Sequence, residues 1–285
     1  MAEKSVSYDT GGTKTFFKKR LLKVAIPFIF WAIIMFVWKI HIGWINIQSI
    51  NIPIKFINAF FANKEEATYY FMFIILGLYL TMPLLSLLAK KEYTKQLWFV
   101  VLLYFIFNAF LPNILELFKI QLNTNLTVQL GGYAIFIILG YLLSTQNITK
   151  KYRILIYAGA IIGLIYRFAT TFYLSKQAGS VVKTTWGYTS WHAILLTAAV
   201  FLIIKNLNFE KIITNSKVRN FITKMSGCSF GIYLIHKIVM YYEQKILSID
   251  VYSWQWRTIG IFSTYIICLV IVSIIKKLPL LKKPV

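Results

Sequence analysis

Apolar stretches long enough to cross a bilayer recur along the whole chain, and no other feature of the sequence restricts the fold as strongly. Lipid offers a backbone no hydrogen bonds, so a segment that crosses it must be a helix or part of a closed barrel. Barrel strands would be shorter and would alternate in polarity every second residue. This chain instead carries continuous runs such as IPFIFWAIIMFVW from Ile26 to Trp38. The expectation is an all-α polytopic membrane bundle of about eight transmembrane helices.

The first span lies within 16–38, and seven more fall near 69–89, 96–115, 130–145, 153–174, 190–206, 226–246 and 257–275. Residues 1–15 are polar with paired glycines and contain no apolar signal core; they are expected to be a disordered cytoplasmic tail, with 16–285 a single transmembrane domain. Eight crossings put both termini on one side. Basic residues then alternate as the positive-inside rule requires. One face collects Lys4 to Lys23, Lys90 to Lys95, Lys150 to Arg153, Lys205 to Lys224 and Lys276 to Lys283. That face is expected to be cytoplasmic, in a bacterial plasma membrane. Tryptophan and tyrosine at the span ends, such as Trp44, Tyr69, Trp186 and Trp254, suit interfacial anchoring.

The net charge of +22, from 31 basic and 9 acidic residues, would suggest nucleic acid in a soluble chain. Here the cations sit in short connections, where they meet anionic lipid headgroups, and no basic-aromatic stripe accompanies them. Membrane lipid is therefore an expected partner and nucleic acid is not. Cys228 and Cys268 both fall in apolar helices, which gives no disulfide framework. HExxH, GxSxG, CxxC and Walker patterns are missing, so no metal is expected.

Ionisable groups inside spans cost free energy unless they face protein or water, which makes each one a site hypothesis. The stretch Ser226 to Tyr242, SGCSFGIYLIHKIVMYY, places His236 beside Lys237 in an apolar helix and leaves it through Tyr241, Tyr242 and Glu243. His236 is either a general base toward a hydroxyl or a packing residue bonded to a neighbouring helix. Counting at about 1.5 Å per residue puts His236 and Arg167 in the outer half of the bilayer. His41, His192 and Glu116 reach the same level, forming either a polar chamber or a set of unrelated interfacial residues. Arg167 has only Ile165, Tyr166, Phe168 and Ala169 for near neighbours, so it calls for a partner across helices or an anionic ligand. At the inner mouth, Lys18, Lys19, Arg20 and Lys23 suit a phosphate-bearing ligand or lipid headgroups.

Several segments together resemble the acyltransferase 3 family of bacterial integral-membrane O-acyltransferases, which decorate surface polysaccharides. They are FFKKRLLKVAIPFIFW (16–31), YYFMFIILGLYLTMPLL (69–85), GGYAIFIILGYLL (131–143), WGYTSWHAILLTAAVFLIIK (186–205) and SGCSFGIYLIHKIV (226–239). They occur in the family's order. The resemblance implies transfer of an acyl group, acetyl above all, from acetyl-CoA to a hydroxyl of a surface glycan. His236 matches a late histidine of the family; with Arg167, singled out by its apolar surroundings, it is a catalytic candidate, and Lys19, Arg20 and Lys23 of the basic cluster are donor-binding candidates. The family's R-x-x-R motif is matched by Arg20-Leu-Leu-Lys23, where lysine keeps the charge and loses the bidentate fork. The family pattern also has two preceding helices, the first bearing a histidine taken as catalytic base. The expectation is that a further segment or a partner supplies them, or that the chain is truncated or inactive. The alternative reading is export of a poly-N-acetylglucosamine-type polysaccharide, with outer aromatics stacking on sugar rings.

Overall fold

The computed structural model describes residues 10–46, 51–64, 66–123 and 125–277. Lys4, Lys282 and Lys283 of the expected cytoplasmic set lie outside the described residues. No strand occurs among the described residues. In chain order the helices are α1 (Thr10–Arg20), α2 (Ile26–His41), α3 (Ile52–Phe61), α4 (Tyr70–Leu88), α5 (Thr94–Tyr104), α6 (Leu111–Leu117) and α7 (Ala134–Thr145). They continue as α8 (Lys150–Ala178), α9 (Trp191–Asn206), α10 (Phe209–Ile212), α11 (Ser216–Leu247) and α12 (Ile261–Ile275).

Each of the eight predicted spans falls on helix. Five helical stretches are long and apolar enough to cross a membrane: Gly12–His41, Ala67–Leu88, Lys91–Leu117, Lys150–Ala178 and Trp256–Ile275. The 12-residue α7 and 16-residue α9 are shorter than the roughly 20 residues of a full crossing. Helix α11 is long, at 32 residues, but opens on Lys217, Arg219 and Lys224. Large apolar side chains also lie uncovered along α8 and α12, among them Ile165, Phe168, Phe172, Ile261 and Phe262. Such a surface suits lipid and not water. The molecule is an all-α membrane bundle.

Two helices extend beyond the eight predicted spans. Helix α1 begins at Thr10, inside the stretch expected to be an unstructured tail. The segment after the first span, expected to be an outer loop, contains α3, which seats Phe60 5.4 Å from Phe28 and Phe56 5.4 Å from Phe36. Its Pro53 stands in the first turn, where the missing N–H costs nothing.

By internal contacts the chain divides into two compact units. A middle unit holds Thr81–Asn208; a terminal unit combines Val6–Leu80 with Phe209–Val285. In the middle unit α8 and α9 run antiparallel, since Arg153 donates to Asn206 at one end (2.6 Å) and Gly163 meets His192 further along. Its core is built on Ala109, Ile135, Leu142, Leu143 and Leu202. In the terminal unit Phe28, Met35, Tyr69, Met72, Leu234, Cys268 and Val272 are buried together. The Tyr69 hydroxyl ties α4's start to α11 by donating to the Leu234 carbonyl at 2.9 Å. Between α1 and α2 the backbone widens into a π-turn at Leu21–Ala25. Pro27 would press its ring on the carbonyl four residues back, that of Lys23, and the wider turn relieves the clash.

Candidate functional site

In the terminal unit the helical phase of α1 and the π-turn brings Lys14, Phe17, Lys18, Leu21 and Ala25 onto one side, facing Leu76, Tyr79 and Leu80 of α4. Together with Arg20 they line a cavity of about 640 Å³. The Arg20 guanidinium is held between two rings, 5.3 Å from Phe16 and 4.8 Å from Tyr79. Cation–π contacts of this kind fix a guanidinium's plane while leaving its N–H fork free. Lys19 and Lys23 are exposed and take no part in lining the cavity. The basic cluster thus supplies a cationic rim on apolar walls.

His236 stands on α11, half-buried, and lines a second cavity of about 220 Å³ with Ile232, Met240, Trp256, Gly260, Ile261, Thr264 and Tyr265. Residues 232, 236 and 240 share one helix face because they are spaced by four. Nδ1 of His236 lies 2.6 Å from the Tyr233 carbonyl. A carbonyl only accepts, so Nδ1 carries a proton, and in the neutral ring Nε2 keeps its lone pair. That tautomer can take a proton from a hydroxyl. Tyr233 is itself pinned, since its hydroxyl donates to the Thr68 carbonyl.

Glu243 lies one heptad beyond His236 on the same face. It is buried, accepts from Thr264 at 2.7 Å and accepts from Ser263. Thr264 therefore connects the carboxyl to the wall of the His236 cavity. The sequence reading saw Glu243 only as the exit of the span, although its spacing of seven from His236 was visible. A second carboxylate, Glu66, pairs with Lys39 at 3.3 Å near the end of α2.

Arg167 falls in the middle unit, on α8. Its Cζ lies 5.8 Å from the Trp186 ring, and Lys183 reaches the same ring at 5.5 Å. His192, on the first turn of α9, is buried, and its Nε2 has no partner among the described residues. Glu116 and Lys119 line a cavity of about 500 Å³ with Gln121, Gln177 and Thr184. His41 is exposed at the end of α2. The expected gathering of outer-half groups therefore resolves, within the middle unit, into Arg167 with His192. His41 and His236 belong to the terminal unit. Among the described residues no group of three His, Cys, Asp or Glu could hold a metal ion.

A family model described as an acyltransferase domain matches residues 6–275, nearly the whole chain. No curated protein and no solved structure matches it.

Proposed function

The chain belongs to the acyltransferase domain family, and from that premise we propose that it transfers an acetyl group from acetyl-CoA to a hydroxyl of a surface glycan. The reading places it in a bacterial plasma membrane with both termini in the cytoplasm. The observation that carries it is the pair of cavities in one unit: a cation-rimmed one at Arg20 and a small one lined by His236.

Their separation supports a donor with a charged head and a remote thioester. Trp38 donates to Tyr242 at 3.3 Å, which aligns α2 with α11. Arg20 lies eighteen residues before Trp38, and His236 six before Tyr242. At about 1.5 Å per residue the two differ in depth by about 18 Å. Arg20, Lys18 and Lys14 would hold the phosphates of the donor and the apolar wall its arm. At the other end His236 Nε2 would accept the acceptor's hydroxyl proton as its oxygen bonds the acyl carbon. The carbon–sulfur bond breaks, and the proton returns through His236 to the departing thiolate. A cavity of about 220 Å³ equals roughly seven waters at ~30 Å³ each, which suits a short acyl group.

The test is release of free CoA thiol and of glycan-bound acetate by the purified protein in nanodiscs. His236→Ala is expected to lower both at least tenfold, and Arg20→Ala to weaken acetyl-CoA binding with the maximal rate less affected. Thiol release unchanged by His236→Ala would return that residue to a packing role. A deletion strain whose polymer accumulates inside the cell, with its acetyl groups intact, would favour export.

A further inference from the structure

Three of the four buried polar side-chain atoms left without a partner among the described residues belong to residues that contact one side chain of the middle unit, Tyr166. They are Asn113 Oδ1, Trp191 Nε1 and His192 Nε2. The Tyr166 ring lies 5.1 Å from that of Trp191 and 6.1 Å from that of His192, and its hydroxyl donates to the Asn113 carbonyl at 3.4 Å. Trp191 and His192 are 7% and 3% exposed. A buried polar atom with no partner is costly, so three on residues that contact one side chain point to a polar ligand.

The same place is the start of α9. The first amides of a helix have no intrahelical acceptor, and the N-cap residue Ser190 makes no side-chain capping bond. Gly163 fixes how α8 meets this turn: a Cβ there would lie 3.0 Å from the His192 Cα. The helices are antiparallel, so Arg167, one turn beyond Gly163, stands past His192 on the side toward which the free amides of α9 point. Arg167 and Lys183 converge on the Trp186 indole, and neither forms an ion pair among the described residues. Trp186 is held by its own donation to Thr171 at 3.2 Å.

The donors here are Arg167, Lys183, the Trp191 indole and the α9 amides. The acceptors are Asn113 Oδ1 and, with the proton on its other ring nitrogen, His192 Nε2. An oxyanion satisfies the first set and hydroxyl groups the second. We propose that Arg167, His192, Asn113 and the first turn of α9 form a binding site for a carboxylate-bearing sugar, of uronic-acid type. A cavity of about 500 Å³ in the same unit reaches Thr184, one residue before Thr185. Its wall carries both Glu116 and Lys119, so the preference for an anion is assigned to Arg167.

The site does not rest on the acyl-transfer reading, and its test needs no acyl donor. Calorimetry on the full chain in detergent would compare sodium glucuronate with glucose and with acetate. Glucuronate is expected to bind at least tenfold more tightly than either. Arg167→Gln is expected to lose that preference, and His192→Phe to bring glucuronate down to the level of acetate. Equal binding of glucuronate and glucose by the wild-type protein would overturn the proposal, whether or not the variants fold. A chain that binds glucuronate yet never releases CoA would sink the acyl-transfer reading alone.

Discussion

The hydroxyl of Thr264 donates to Oε2 of Glu243 at 2.7 Å, and the adjacent Ser263 hydroxyl donates to Oε1, so a buried carboxyl on α11 is satisfied entirely by α12. Among the described residues no cation pairs with it. Hydrogen bonds to a charged group contribute about 1.5–3 kcal/mol each, and more is lost when the partners stay buried and unpaired. Glu243→Ala strands the Thr264 hydroxyl, while Ser263 keeps the Gly260 carbonyl as acceptor at 3.1 Å. Its melting midpoint in detergent is expected to fall by about 4–8 °C for roughly 2 kcal/mol lost. Glu243→Gln keeps one acceptor oxygen and recovers part of the fall. An unchanged midpoint in the alanine variant would show that the pairing contributes nothing net.

Lys39 and Glu66 form the other low-exposure ionic contact, at 3.3 Å with side chains 12% and 11% exposed. Removing one member of a buried pair costs about 3–5 kcal/mol because the remaining charge is uncompensated, whereas removing both can be nearly neutral. Glu66 also accepts from the amide and hydroxyl of Thr68, so Glu66→Ala is expected to remove those bonds along with the ion pair. The double variant Lys39→Ala with Glu66→Ala should melt above Glu66→Ala alone. Strict additivity of the two single losses would show that the ions do not interact.

Glycine does different work at two helical positions. A Cβ at Gly163 would meet the His192 Cβ at 2.6 Å, while one at Gly77 would meet nothing within 4 Å. Small residues let membrane helices approach closely. Gly163→Ala must push α8 from α9 and is expected to cost about 1–3 kcal/mol. Gly77→Ala is expected to be neutral or to gain up to about 1 kcal/mol of helix propensity. Thermal midpoints of the two variants in the same detergent check the contrast; equal shifts would remove it.

The helices were legible because continuous apolar runs in this chain have few other places to go. What could not be read was pairing between distant segments. Glu243 lies seven residues from His236, a spacing visible in the sequence, but nothing there says that Ser263 and Thr264 would face it. Arg167 was expected to need an anion or a partner across helices; its approach to the first turn of α9 depends on Gly163, whose closeness to His192 only the fold reveals. The π-turn at Leu21–Ala25 has a local cause in Pro27, yet its effect, turning Lys14, Lys18 and Arg20 toward Tyr79 and leaving Lys19 and Lys23 outside, depends on where α4 packs. Helix α3 was missed because ten residues opening on Ile52 and Pro53 read equally well as an aromatic outer loop.

The middle unit offers the sharpest test of the membrane assignment. Arg153 and Asn206 meet at one end of the α8–α9 pair, and Lys183 and Trp186 lie past the other. Along 29 residues α8 extends about 43 Å, enough to cross the hydrocarbon core and both headgroup layers. Cys228 and Cys268 are both buried, so the native thiols should label poorly and leave a low background. A cysteine at Lys150 should then react with an impermeant maleimide only in inverted vesicles, and one at Lys183 only in intact cells. If both react from the same side, α8 does not span, and Arg167 is no longer a charge in the outer leaflet in need of a partner.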